Sequence, residues 1–171
     1  MVAADVTDAY LGWFRDPAVT RFLEARNISR QDALDYLEAG RRTRGYFQYA
    51  VCLSETDRHV GSVKIGPVKW THGTSDLVTV IGDRSVWGGG VASQAIRQAI
   101  GIAFDRHGLR KLSASIDSLN EASVRAYVRA GFSVEARLPG QFMHPGPGGE
   151  CILSDKIYVG VFNKNYAPPS L

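Results

Sequence analysis

The residues with the most chemical potential lie in Val86-Trp87-Gly88-Gly89-Gly90-Val91-Ala92-Ser93. Adjacent glycines let backbone N–H groups turn toward one point with no Cβ in the way. An apolar repeat follows at helical spacing, Ala92, Ile96, Ala99, Ile100 and Ala103, and Gly108 closes it. The glycines therefore open a helix whose first N–H groups lack partners and whose dipole end is positive. That combination is an anion cradle suited to a pyrophosphate. It is not a Walker A loop, which needs Gly-Lys-Ser/Thr, nor a Gly-x-Gly-x-x-Gly dinucleotide turn. Alone, a triple glycine reads as a flexible strand-to-helix turn.

A second cluster gives it weight. Asn120-Glu121-Ala122-Ser123-Val124-Arg125-Ala126-Tyr127 precedes Gly131-Phe132. Asn120, Ser123 and Tyr127 fall at i, i+3 and i+7, one face of a helix. Asn120 suits an N-cap. Tyr127 is either a core aromatic with a bonded hydroxyl or, if the hydroxyl reaches a cleft, a proton donor to a leaving group.

Elements must position these groups. Thr7 to Glu24 reads as helix broken at Asp16-Pro17, and Ser29 with Asp32 reads as a capping box opening a second helix that Gly45 stops. Tyr46 to Ser54, Val60 to Val68 and Leu77 to Ile81 read as a three-strand meander. Leu112 to Ile116 is a strand, Asn120 to Ala130 a helix ended by Gly131, and Phe132 to Leu138 and Ile152 to Phe162 two final strands. Pro139 to Gly149, rich in Gly and Pro, reads as a long mobile loop. One central sheet with helices, an α+β or mixed α/β layout, follows from that order.

At 171 residues the chain fits one domain, 1–171, with 167–171 as a frayed tail. Hydrophobic residues at 44% and charged residues at 22% exclude disorder and collagen-like repeats. A net charge of +3 could favour an anionic ligand without identifying one. Arg41-Arg42-Thr43-Arg44 reads as a solvated helix end; with no basic stripe interleaved with aromatics, nucleic acid is not an expected partner. Cys52 and Cys151 read as buried apolar thiols, and His59, His72, His107 and His144 are too scattered for a metal site. No signal peptide or membrane-spanning run is evident, so a cytoplasmic protein is expected.

Together the two clusters resemble the GCN5-related N-acetyltransferase (GNAT) superfamily. Trp87 to Ala92 is similar to the family's acetyl-CoA motif, Gln/Arg-x-x-Gly-x-Gly/Ala, with Gly90 and Ala92 at the small positions and Trp87 where Gln or Arg is usual. That departure, with Ser93-Gln94-Ala95 and the segment Tyr10 to Val19, resembles the branch of ribosomal-protein N-terminal and aminosugar acetyltransferases. The resemblance implies a mostly antiparallel twisted sheet of six to seven strands and about four helices. Only about six residues precede the first helix, so the family's first strand is expected to be short or missing.

The resemblance also implies roles. Backbone groups of Val80, Ile81 and Gly82 would bind pantetheine, with one amide polarising the thioester carbonyl. Gly88, Gly89, Gly90, Val91, Ala92 and Ser93 would cradle the pyrophosphate. Asn120, with Ser123 beside it, would hold the pantetheine arm, and Tyr127 would protonate the sulfur. Asp76 and Asp83 are the candidate bases, each equally readable as a solvated strand-end charge. His144, in the Gly/Pro loop, is a further candidate to take the proton. Trp13, Arg21, Arg26, Asn27 and His144, with Asp155 and Tyr158, would line the acceptor site. Acetyl-CoA is then the co-substrate, no metal is required, and a homodimer is the branch's common state. Arg21, Arg26 and Asn27 favour a nucleotide-linked amino sugar as acceptor. A protein N-terminal amine is the close alternative, and an antibiotic or polyamine the third. A non-catalytic acyl-CoA-binding module is the rival class, against which the retained Tyr127 argues.

Overall fold

A computed structural model describes residues 1–166; the expected frayed tail, 167–171, lies outside them. The Thr7 hydroxyl caps α1 (Asp8–Trp13) and the Asp16 carboxylate caps α2 (Pro17–Thr20), each by accepting a backbone N–H. Asp16-Pro17 therefore both ends one helix and starts the next. The Ser29–Asp32 capping box opens α3 (Arg30–Thr43). The stop differs from expectation. Arg44, not Gly45, takes the left-handed conformation at φ 51°. Tertiary contacts hold it there: its carbonyl accepts from Trp70 Nε1 at 3.1 Å, and Gly45 O accepts from Val68 N.

The sheet comprises β1 (Phe47–Cys52), β2 (His59–Lys69), β3 (Thr74–Ile81), β4 (Lys111–Asp117), β5 (Ser133–Pro145) and β6 (Cys151–Phe162), in the order β1-β2-β3-β4-β6-β5. Only β3 and β4 pair in parallel. No strand precedes α1 among the described residues; Ala3–Asp5 form a 3₁₀ turn, and the Met1 amino group donates to Gln48 O on the β1 edge. α4 (Val91–Gly101) continues into a π-helical segment, Ile102–Arg106, before Gly108. α5 is Glu121–Ala130, capped by Asn120 and stopped by left-handed Gly131.

The expected long loop is mostly strand. β5 continues to Pro145, and a register shift between Leu138 and Phe142 absorbs Pro139-Gly140-Gln141. Asp155 pins that bulge, accepting from Gly140 N at 3.0 Å and pairing with Arg137. The cysteines also differ from expectation: both are free and exposed, because each sits at a strand end beside a turn.

Two apolar clusters sandwich the sheet. Ile65, Leu77, Ile96, Leu112, Tyr127 and Val159 belong to the one beneath α4 and α5. Tyr10, Leu11, Trp13, Phe14, Ala33 and Leu37 build the other, from α1 and α3. Gly82 joins the second cluster to the sheet, because the Trp13 indole lies directly on its Cα face and any Cβ there would overlap the ring. Gly82→Ala is expected to cost about 1–3 kcal/mol through overpacking, read as a lower urea midpoint at unchanged slope.

Candidate functional site

β3 and β4 pair only from Thr74 to Asp76 against Lys111 to Ser113. Beyond those residues they part, and a wedge opens toward Ile81 and Asp117. Backbone alternation decides which groups face it. Gly82 N donates to Val60 O at 2.9 Å, so Gly82, Val80 and Val78 turn their peptide groups to β2. Leu77, Thr79 and Ile81 turn theirs to the wedge. Leu77 O accepts from the Tyr127 hydroxyl at 2.8 Å and Ile81 O from the Trp87 indole N–H at 2.8 Å. Among the described residues the Thr79 peptide groups and Ile81 N–H have no strand partner on that side. Of the three strand positions expected to meet pantetheine, only Ile81 presents its backbone to the gap. Val80 faces β2, and Gly82 faces β2 and packs under Trp13. Thr79, not anticipated from the sequence, takes their place; residue parity along β3 was the available signal.

Tyr127 stands at the apex of the wedge. Its side chain is buried rather than open to a cleft, and its hydroxyl lies 3.4 Å from Thr79 Oγ1. Desolvation pushes its pKa well up, so the proton stays on oxygen at neutral pH.

The glycine turn leads from β3 into α4. Gly88 and Gly90 both adopt φ +80°, a conformation glycine takes without strain. A Cβ at Gly88 would meet nothing within 4 Å, so the turn is open on its outer side. Gly90 gives α4 no side-chain cap, leaving the N–H groups of Val91, Ala92 and Ser93 unpartnered within the helix. The Ser93 hydroxyl donates to Gly90 O at 2.9 Å, so it braces the turn and only its N–H remains for a ligand. Asn120 Oδ1 accepts from Ser123 N at 3.2 Å, and Asn120 N donates to Asp117 O at 2.9 Å. The cap fixes Asn120 at the β4 rim of the wedge, across from the glycine turn.

The opposite face of the sheet gathers other groups. Register places Asp76, Val78 and Val80 on the same face as Ser113, Ser115 and Asp117, away from α4 and α5. Asp76 is exposed, and desolvation raises its pKa against the opposing pull of Lys69 and Lys64. Asp83 is different. Its carboxylate accepts from Ser85 N at 2.9 Å and Ser85 Oγ at 2.7 Å and pairs with Arg58, and these hydrogen bonds hold its pKa down. It caps the turn leading to the glycines, a poor place for a base.

Trp13, expected in the acceptor site, is buried against Gly82 and packs edge-on against the His59 ring. Arg21, Arg26 and Asn27 do come together. With Arg15 they line a cavity of about 230 Å³ over Phe14 and Thr20. Phe22 links that cavity to His144, with the Arg21 guanidinium 5.0 Å above its ring and the His144 ring edge-to-face at 6.1 Å. His144 Nε2 lies 2.6 Å from Asp117 Oδ2 and 3.1 Å from Ser154 Oγ.

The family model of the acetyltransferase (GNAT) domain matches residues 1–133. The chain belongs to the GNAT acetyltransferase family. A spermidine N-acetyltransferase from Vibrio cholerae, in complex with CoA and spermine, superposes with TM-score 0.80 at 16% identity, covering 95% of this chain and 92% of that one. A ribosomal-protein-S5-alanine acetyltransferase from Vibrio fischeri gives TM-score 0.79 at 16% identity, over 98% and 93%. A GNAT-family acetyltransferase from Bacillus anthracis gives 0.74 at 17%, over 94% and 90%. No curated protein matches the sequence significantly. At these identities the structures share the fold alone.

The protein is therefore an N-acetyltransferase, and its described residues form a mostly antiparallel six-stranded GNAT sheet and five α-helices. None of the described helices is long and apolar enough to cross a membrane. In this acetyltransferase the glycine turn, wedge and Asn120 lie along one path, and the Arg cavity, His144 and Asp76 lie beside it on the face opposite Tyr127.

Gly90→Val is expected to abolish acetyl-CoA binding in a protein that still folds, because a β-branched residue cannot hold φ +80°. Isothermal titration against the folded variant, checked by circular dichroism, reads this. Asp76 predicts a signed pH effect. Its folded pKa is raised, so ionising it costs stability above that pKa and nothing below its unfolded value of about 3.9. Asp76→Asn should raise the melting temperature slightly at pH 7, with the gain vanishing below about pH 4.

Proposed function

We propose that the chain moves an acetyl group from acetyl-CoA to the primary amine of an anionic small molecule, a nucleotide-linked amino sugar being the class that fits. The observation that carries this is the wedge itself, with unpartnered β3 peptide groups leading to an open glycine turn at a helix N-terminus. The fit of acetyl-CoA rests on that turn, where Gly88 leaves open space for an anion. Bound acetyl-CoA supplies the acetyl thioester.

The chain's own groups then have distinct tasks. N–H groups of Val91, Ala92 and Ser93, with the Gly88–Gly90 turn, hold the pyrophosphate. The Asn120 side chain and the free Thr79 and Ile81 peptide groups orient the pantetheine arm, and a β3 N–H polarises the carbonyl. The Tyr127 hydroxyl donates to Leu77 O on the free edge of β3; with acetyl-CoA in the wedge it exchanges that bond for the leaving sulfur and gives its proton there. The amine approaches from the opposite face.

Acceptor charge follows from Arg15, Arg21 and Arg26. Three arginines lining one cavity repel a polyamine and attract phosphate. Spermidine, the substrate named for one structural neighbour, is thus disfavoured here.

The test is acetyl-CoA-dependent thiol release against a uridine-diphosphate-linked amino sugar, a short peptide with a free N-terminal alanine, and spermidine. Release with the sugar alone is expected, falling at least tenfold in Arg21→Ala. Release with the peptide alone would assign the acceptor to protein N-termini. Tyr127→Phe should lower turnover about 10²-fold with acetyl-CoA affinity unchanged. Lost affinity at normal turnover would remove Tyr127 from the proton donor role.

A further inference from the structure

Acetyl transfer needs a neutral amine, and the reading above leaves its proton without a destination. We infer that His144 takes that proton, with Asp117 as its positioning residue. This rests on the acetyl-transfer reading and adds a group to it.

Three observations converge. Asp117 ends β4 at the wide mouth of the wedge and is buried, with Oδ1 accepting from Leu119 N at 2.9 Å and Oδ2 facing His144 Nε2 at 2.6 Å. A carboxylate only accepts, so in the neutral ring His144 Nε2 carries the hydrogen and Nδ1 keeps its lone pair. Nδ1 has no hydrogen-bond partner among the described residues. Second, the Asp117 carbonyl accepts from Asn120 N at 2.9 Å, tying the pair to the residue proposed to orient pantetheine. Third, Phe22, just after α2, packs edge-to-face with the His144 ring and adjoins the Arg cavity through Arg21. An acceptor with its phosphate among the arginines would have its amine on the same side of the sheet as His144.

Register fixes the polarity of the reaction. Asp117, Ser154 and His144 lie on one face of the sheet and Tyr127 on the other, with the wedge between them. The amine loses its proton to His144 Nδ1 as the N–C bond forms. The C–S bond breaks, and the sulfur takes a proton from Tyr127. Water then exchanges the proton from His144 and returns one to Tyr127. The charged groups around His144 are Asp117 from β4, Lys156 opposite Asp117 on β6, and Arg21, at the C-terminal end of α2, beyond Phe22.

The alternative role is structural: the pair would merely tie the β5–β6 arm to β4. His144→Gln separates the two, because the amide still donates to Asp117 but cannot take a proton. With the fastest amine of the panel, His144→Gln should lower kcat/KM by about 10²-fold or more and erase the acidic limb of its pH profile. Acetyl-CoA affinity and urea midpoint should stay near wild type. Asp117→Asn should displace that limb toward lower pH, an effect a tie alone would not produce. Unchanged kcat/KM in His144→Gln, or loss of the acidic limb in Asp76→Asn instead, would overturn the assignment. A second measurement needs no acceptor. Nitrogen-15 shifts of the neutral His144 ring in the free protein should show hydrogen on Nε2, and hydrogen on Nδ1 would overturn the proposal. If no amine is acetylated, the acetyl-transfer reading fails and the ring tautomer still decides the geometry claimed for His144.

Discussion

Two parallel strands that pair over three residues and then separate impose the constraint on which the rest of this structure depends. Backbone groups buried without partners are costly, so such a split persists only where other groups meet the freed edge. Here Tyr127 answers Leu77 O from α5, and Trp87 answers Ile81 O from the glycine turn. Both are long side chains reaching in from elements that follow β3. The Thr79 peptide between them is left for a ligand. Trp87 stands where the family resemblance leads one to expect Gln or Arg, and its indole N–H provides the donor that holds the turn against the strand.

The split also divides the chemistry between two faces. α4 and α5 cover one face with an apolar cluster that includes Tyr127. α1 and α3 cover the β1–β2 side of the other, through Tyr10 on Gln48 and His59, and reach the end of β3 where Trp13 lies on Gly82. Ser115 is left exposed and Ser113 half-buried on β4, with Asp117 and His144 further along. An amine and a thiol leaving group handled on opposite faces need not compete for the same proton carrier. The long β5–β6 hairpin makes this arrangement physical, since only its extension past Lys156 brings His144 back onto Asp117.

Much of this was legible from one sequence. Ser29 with Asp32 and Asn120 announced helix starts and Asp16-Pro17 a helix break, because capping is local chemistry within four residues. The glycine turn was legible for the same reason: positive φ at Gly88 and Gly90 is a backbone demand that residue type alone meets. The Pro/Gly stretch at 139–149 misled, because a register shift and Asp155 hold it as strand, and both depend on a partner distant in sequence. Arg44 in place of Gly45 as the helix stop has the same origin in Trp70.

Residue types and spacing thus determined most of the elements, the glycine turn that opens α4 and the family, since each rests on interactions within one turn or one strand. Tertiary structure decided which residues meet. It turned Thr79 rather than Val80 toward the wedge, buried Trp13 on Gly82, used Asp83 as a cap and joined His144 to Asp117 across 27 positions. Those outcomes depend on strand register and on packing between distant segments, which no local pattern encodes.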